Sequence, residues 1–138
     1  MTREQLLLEL RQDTWVALRP SPIHGIGVFA LRDIPAGCRS IFSVGGPEWI
    51  PLSITEVEAL PAHSRHFIET YCLYDDHVYF VPSQGFKLLD PVLYLNHSST
   101  PNIISINDGE LFESINDIPE GTELLIDYGV IAPGSGYS

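Results

Sequence analysis

Turn residues punctuate this chain so often that only short elements fit between them. Its 138 residues include 11 glycines and 11 prolines. Proline locks φ and withdraws a backbone donor, and glycine reaches left-handed conformations without a Cβ penalty. Thr2 and Gln5 have capping-box spacing ahead of Leu6, Leu7 and Leu10, which predicts a helix over residues 3–12. Residues 15–18 read as a strand broken by Pro20 and Pro22, and residues 28–31 as a buried strand ending in the turn Asp33-Ile34-Pro35-Ala36-Gly37. Residues 38–44, CRSIFSV, read as a second strand stopped by Gly45-Gly46-Pro47. Ser53 and Glu56 are another capping pair, opening a helical region over 53–70 that Pro61 divides into two short helices. Residues 71–81 have the form of a hairpin around Asp75-Asp76. Further on, IISI and ELFESI flank the hairpin turn Asn107-Asp108-Gly109, Asp117-Ile118-Pro119-Glu120-Gly121 repeats the earlier turn, and residues 123–128 form a last strand. Many short strands with a few short helices predict a mainly β domain of small sheets. Because strands do not alternate with long helices, a Rossmann fold is excluded.

Charge and apolar content narrow the setting. Hydrophobic residues make up 44% and charged residues 18%, so a globular domain is expected and not a disordered chain. The length suits a single domain over residues 1–138. No apolar run is long enough to cross a bilayer, and the charged N-terminus MTREQLLLELRQD lacks a signal-peptide layout. The reading is an intracellular, soluble protein of the cytoplasm or nucleus, with no membrane partner. A net charge of −11 argues against direct nucleic-acid binding and favours a basic partner. Cys38 and Cys72 lack metal-ligand spacing and read as free thiols.

The densest polar cluster, YLNHSSTPN at residues 94–102, follows directly on the apolar Val92 and Leu93. Side chains of this kind can bond nearby backbone in place of continuing a ladder, so a tight turn accounts for them as well as a ligand site does. HGIG at residues 24–27 is neither a dinucleotide fingerprint nor a phosphate loop. Its glycines either make a turn or let backbone approach a ligand. The five histidines include no HExxH, and no GxSxG is present, so zinc and serine-hydrolase chemistry lack support.

Taken in order, GIGVFALRDIPAG, YLNHSSTPN and DIPEGTELLIDYG closely resemble the three signature segments of the SET-domain family of S-adenosylmethionine-dependent protein lysine methyltransferases. The resemblance spans about residues 20–130, nearly the whole chain. It implies a β-clip fold of several short sheets with a C-terminal pseudoknot, in which the C-terminal segment threads beneath a loop. The N-terminal helix would occupy 1–14, the SET core 20–130 and a flexible tail 131–138. The family's cysteine-rich flanks are missing, so no metal is expected.

The same resemblance implies the site. Tyr128 takes the catalytic tyrosine position and shapes the methyl-transfer pore. His24, Gly25, Ile26 and Gly27 would present backbone to S-adenosyl-L-methionine. Asn96 would hold the cofactor by its side chain and His97 largely by its backbone, with Tyr128 completing that wall. Pro101 and Asn102 would close the turn. The substrate channel would be lined by Ile126, Phe42 and Tyr128. Phe42 stands in a degenerate second motif, IFSVG, where a tyrosine is common. Ile126 replaces an aromatic residue, which implies room for di- or trimethyllysine. Tyr137 is expected to pack on the cofactor. The substrate would be a lysine-containing, basic protein or peptide, such as a histone, in a groove bordered by residues 55–81. A non-catalytic module binding a peptide or S-adenosylmethionine and a purely structural β domain are the alternatives.

Overall fold

The computed structural model describes residues 2–43, 48–88 and 90–129. The stop at Gly45-Gly46-Pro47 and the tail with Tyr137 lie outside the described residues. Helix α1 (Arg3–Gln12) opens with the expected capping box, Thr2 and Gln5 each bonding the other's backbone. Strand β1 (Val16–Pro20) pairs antiparallel with β2 (Ile26–Ala30). Pro20 does not break β1 but ends it, because β1 lies at the sheet edge, where a missing N–H costs no ladder bond.

Residues 38–43 are not the strand that their composition suggests. Ile41 and Phe42 are consecutive and both buried, whereas strand side chains alternate between faces. The segment instead sends both into the core and is pinned at Cys38, whose carbonyl accepts from Ser114 N–H and whose N–H donates to Ser114 Oγ. Strand β3 (Trp49–Ser53) follows, then α2 (Ile54–Glu58), capped by Ser53 and Glu56, and α3 (Ala62–Tyr71) beyond Pro61. The turn at Asp75 forms, its carboxylate accepting from the amides of His77 and Val78. Tyr74 pairs antiparallel with Tyr79 and Phe80 N–H donates to the Leu73 carbonyl, so the hairpin forms in part, although Tyr71 belongs to α3 and β4 (Val78–Pro82) takes β3 as its ladder partner. These elements enclose a small core of Val57, Ile68, Cys72 and Val81.

A 3₁₀ turn (Pro91–Tyr94) leads into the two-residue β5 (Asn96–His97). Strands β6 (Ile103–Ile106) and β7 (Leu111–Ser114) form the expected hairpin, with Asn107 and Asp108 both at positive φ. The last strand, β8 (Glu123–Ile126), runs antiparallel to β2 and parallel to β5 and β6. The loop between β5 and β6 grips the C-terminal half of β8: Ser98 N–H donates to the Ile126 carbonyl and Asn102 N–H to that of Leu125. Asn102 serves as a further ladder rung, its side chain bonding Leu125 N–H and the Glu123 carbonyl.

The repeated turns have a shared purpose. Ile34 and Ile118 exchange two backbone bonds of 2.8 Å each. Asp33 accepts from Glu120 N–H and Asp117 from Ala36 N–H, so each turn caps the other. Both isoleucines are fully buried in the main core with Val28, Leu93, Phe112, Leu124 and Ile126. Each such side chain stabilises the fold by roughly 1.5–3 kcal/mol.

Candidate functional site

The three signature segments meet around β8. HGIG is the connection of the β1–β2 hairpin, with Ser21 N–H bonded to the Gly25 carbonyl and Gly25 at φ +46°. Residues 23–26 are exposed, and open space surrounds Gly25, so backbone is presented to solvent here. Gly27 is buried for a different reason. A Cβ there would come within 2.3 Å of Glu123 Oε2. The close neighbour that demands glycine is a side chain of the protein itself.

Asn96 is 6% exposed and faces this turn. Its Nδ2 donates to the His24 carbonyl at 3.0 Å and to Glu123 Oε2 at 2.8 Å. Both partners are acceptors, so the amide orientation is settled by chemistry and Oδ1 is left as its acceptor. His97 lies opposite Ile126 in the β5–β8 ladder. Its Nδ1 accepts from Tyr128 N–H at 3.0 Å, which puts the ring proton on Nε2. The two rings lie 5.4 Å apart. Thus His97 shapes the bend after β8 with its side chain as well as its backbone.

Tyr128 folds back over the chain and donates its hydroxyl to the Leu95 carbonyl. Burial pushes its phenol up to about 12. Neighbouring residues therefore join two regions, the Leu95 carbonyl meeting Tyr128 and the Asn96 side chain meeting the polar HGIG turn. Beside Tyr128 lies an apolar pocket lined by Trp49, Tyr71, Leu73, Leu95, Phe112 and Ile126, together with Val92 and Leu93. It lies against the main core, on which Trp49, Tyr71 and Tyr128 pack. Tyr71 packs on Tyr94 at 5.3 Å, and the Trp49 indole donates to the Gly109 carbonyl at 3.3 Å.

Ile126 and Tyr128 reach this pocket together. Phe42 is not among its lining residues. It stands behind Phe112, edge-on at 5.8 Å, in the core. Trp49, Tyr71 and Phe112 carried no motif and were missed, as were Ser21 and Glu123. Only the positions of Ser21 before HGIG and Glu123 within the last strand could have pointed to the latter pair. Among the described residues no group of three or more His, Cys, Asp or Glu side chains could hold a metal, and no helix is long and apolar enough to cross a membrane.

A SET domain family model matches residues 25–129, from the HGIG turn to the end of the described C-terminal bend. The chain belongs to the SET-domain family. Its fold is similar to the crystal structure of a Plasmodium falciparum "putative histone methyltransferase", at a TM-score of 0.53 and 21% identity, over 84% of this chain and 94% of that one. A search of curated proteins returned no match. The arrangement around β8 separates a polar, backbone-rich rim at the HGIG turn from an apolar pocket beside Tyr128.

Proposed function

We propose that this chain is an S-adenosylmethionine-dependent protein lysine N-methyltransferase acting on a basic protein segment, such as a histone tail. The observation that carries the reading is the Leu95–Asn96 pair, in which the Leu95 carbonyl accepts from the Tyr128 hydroxyl and the neighbouring Asn96 side chain donates to the HGIG turn at the His24 carbonyl. S-adenosylmethionine would supply a sulfonium-bound, electrophilic methyl group. Exposed backbone at His24, Gly25 and Ile26, with the Asn96 Oδ1 acceptor and the His97 backbone, fits a ligand that carries both a carboxylate and an ammonium. Gly27 would shape the turn without touching it.

The acceptor amine must be neutral to attack. Free lysine has a pKa of about 10.4, so only roughly a few in ten thousand are neutral at pH 7. The pocket's apolar and aromatic walls disfavour charge. The burial that raises the Tyr128 phenol would lower an ammonium by the same physics. Tyr128 stays protonated at neutral pH, so it orients the amine and does not act as a base. Alignment of nitrogen, methyl and sulfur then supplies much of the acceleration.

The core over residues 20–130 would carry this chemistry, with the substrate in a groove bordered by 55–81. The net charge of −11 favours a basic substrate. A soluble intracellular setting, cytoplasm or nucleus, suits it. The deciding experiment is methyl transfer to Lys-rich proteins and to a cell lysate, read by mass spectrometry. The parent should label lysine side chains, and Tyr128→Phe should lose about a hundredfold in rate by misplacing the amine. Binding of S-adenosylmethionine without any labelling would instead mark a non-catalytic module.

A further inference from the structure

We propose that Glu123 is the positioning residue of the cofactor-binding turn, acting through Ser21 and Asn96 rather than by touching the ligand. This deepens the reading above and rests on it. The Glu123 carboxylate accepts from Ser21 Oγ with both oxygens, at 2.9 and 3.0 Å, and from Asn96 Nδ2 at 2.8 Å. Ser21 Oγ in turn accepts from Ile23 N–H at 3.0 Å and His24 N–H at 3.4 Å. Gly27 leaves the space in which Oε2 lies. One half-buried carboxylate therefore sets the entry of the turn (Ser21), its exit (Gly27) and the side chain opposite (Asn96). It reaches them from β8, whose other end leads to Ile126 and Tyr128. Charge matters to this arrangement, because every side chain that meets the carboxylate is a donor and hydrogen bonds to a charged acceptor are the stronger kind. A glutamine would offer one acceptor and would set an NH₂ against either Ser21 or Asn96.

The test uses the full chain and calorimetry with S-adenosylmethionine. Glu123→Gln should weaken binding by about tenfold, the scale of one charge-assisted bond, while kcat at saturating cofactor stays within a few-fold of the parent. Gly27→Ala, which drives a Cβ against Oε2, should be much less damaging to binding in a Glu123→Ala background than alone. A general loss of structure would not produce that rescue. Hydrogen exchange at the Ile23 and His24 amides, and the Asn96 side-chain amide signal, report the turn without any ligand. Faster exchange in Glu123→Gln supports the clamp. Unchanged exchange, or loosened exchange with cofactor affinity within twofold of the parent, overturns it. If the parent itself binds no S-adenosylmethionine, the cofactor reading fails and the proposal that Glu123 serves it falls too. The exchange data then show separately whether Glu123 still clamps the turn.

Discussion

Ile126 and Tyr128 stand two residues apart and both face the apolar pocket, although only Tyr128 carries a polar group there. Ile126 is 2% exposed, so its side chain sets part of the pocket's size. On the proposed reading, an aliphatic group in place of a ring leaves space beside the target nitrogen. The parent should therefore carry product to di- or trimethyllysine on long incubation, and Ile126→Phe should shift it towards monomethyllysine. Mass spectrometry of the product reads the difference, and exclusively monomethyl product from the parent would refute the assignment. The larger ring should also cost about 1–3 kcal/mol of stability. At this scale the motifs name residues that the fold gathers around β8, but not always the contact each one makes. Gly27 looks like a backbone approach to a ligand, yet what approaches it is Glu123, a contact between residues distant in sequence that spacing alone cannot reveal.

Among the elements, β3 was the least legible. Pro51 in WIPLS argues against a strand, but β3 belongs to a two-stranded sheet in which an edge can spare a donor. Through β3 the fold delivers Trp49 to the pocket and lays it against the β6–β7 turn. That turn was legible, since Asn107-Asp108-Gly109 suits positive φ at each position. Its second purpose was not. At Gly109, φ is +87° and a Cβ would stand 2.7 Å from the Trp49 indole nitrogen. Gly109→Ala should therefore cost about 1–2 kcal/mol through the left-handed backbone alone. It should also displace Trp49, seen as a shift in tryptophan emission and a raised KM for peptide at near-constant kcat. A stable variant with parental emission would show that the turn does not hold the indole.

Over the whole molecule, each of the two hydrophobic cores holds a titratable group, Tyr128 at the main core and Cys72 in the smaller one, and their burial makes stability depend on alkaline pH. Burial raises Cys72 from 9.0 to about 12 and Tyr128 from 10.0 to about 12. Both folded values lie above the unfolded ones. The stabilisation is complete below about pH 9 and is lost as pH rises through 10 towards 12, because the unfolded chain ionises first. Thermal unfolding should hold a steady midpoint to about pH 9 and then fall, and Cys72→Val should remove the earlier part of that fall. A midpoint that stays level to pH 12 would contradict the burial. By itself the sequence determined the capped helices, the turns at Gly and Pro, the mainly β character and the three segments that mark the family. Those features depend on a few neighbouring residues and so are written locally. Tertiary structure alone decided that the two DIPxG turns cap each other, that 38–43 sends Ile41 and Phe42 into the core, that β8 lies gripped between β2 and the 98–102 loop, and that Trp49, Tyr71 and Phe112 share a wall with Ile126 and Tyr128. Each of these depends on contacts between distant segments, whose energies come from burial and pairing after the chain has closed on itself.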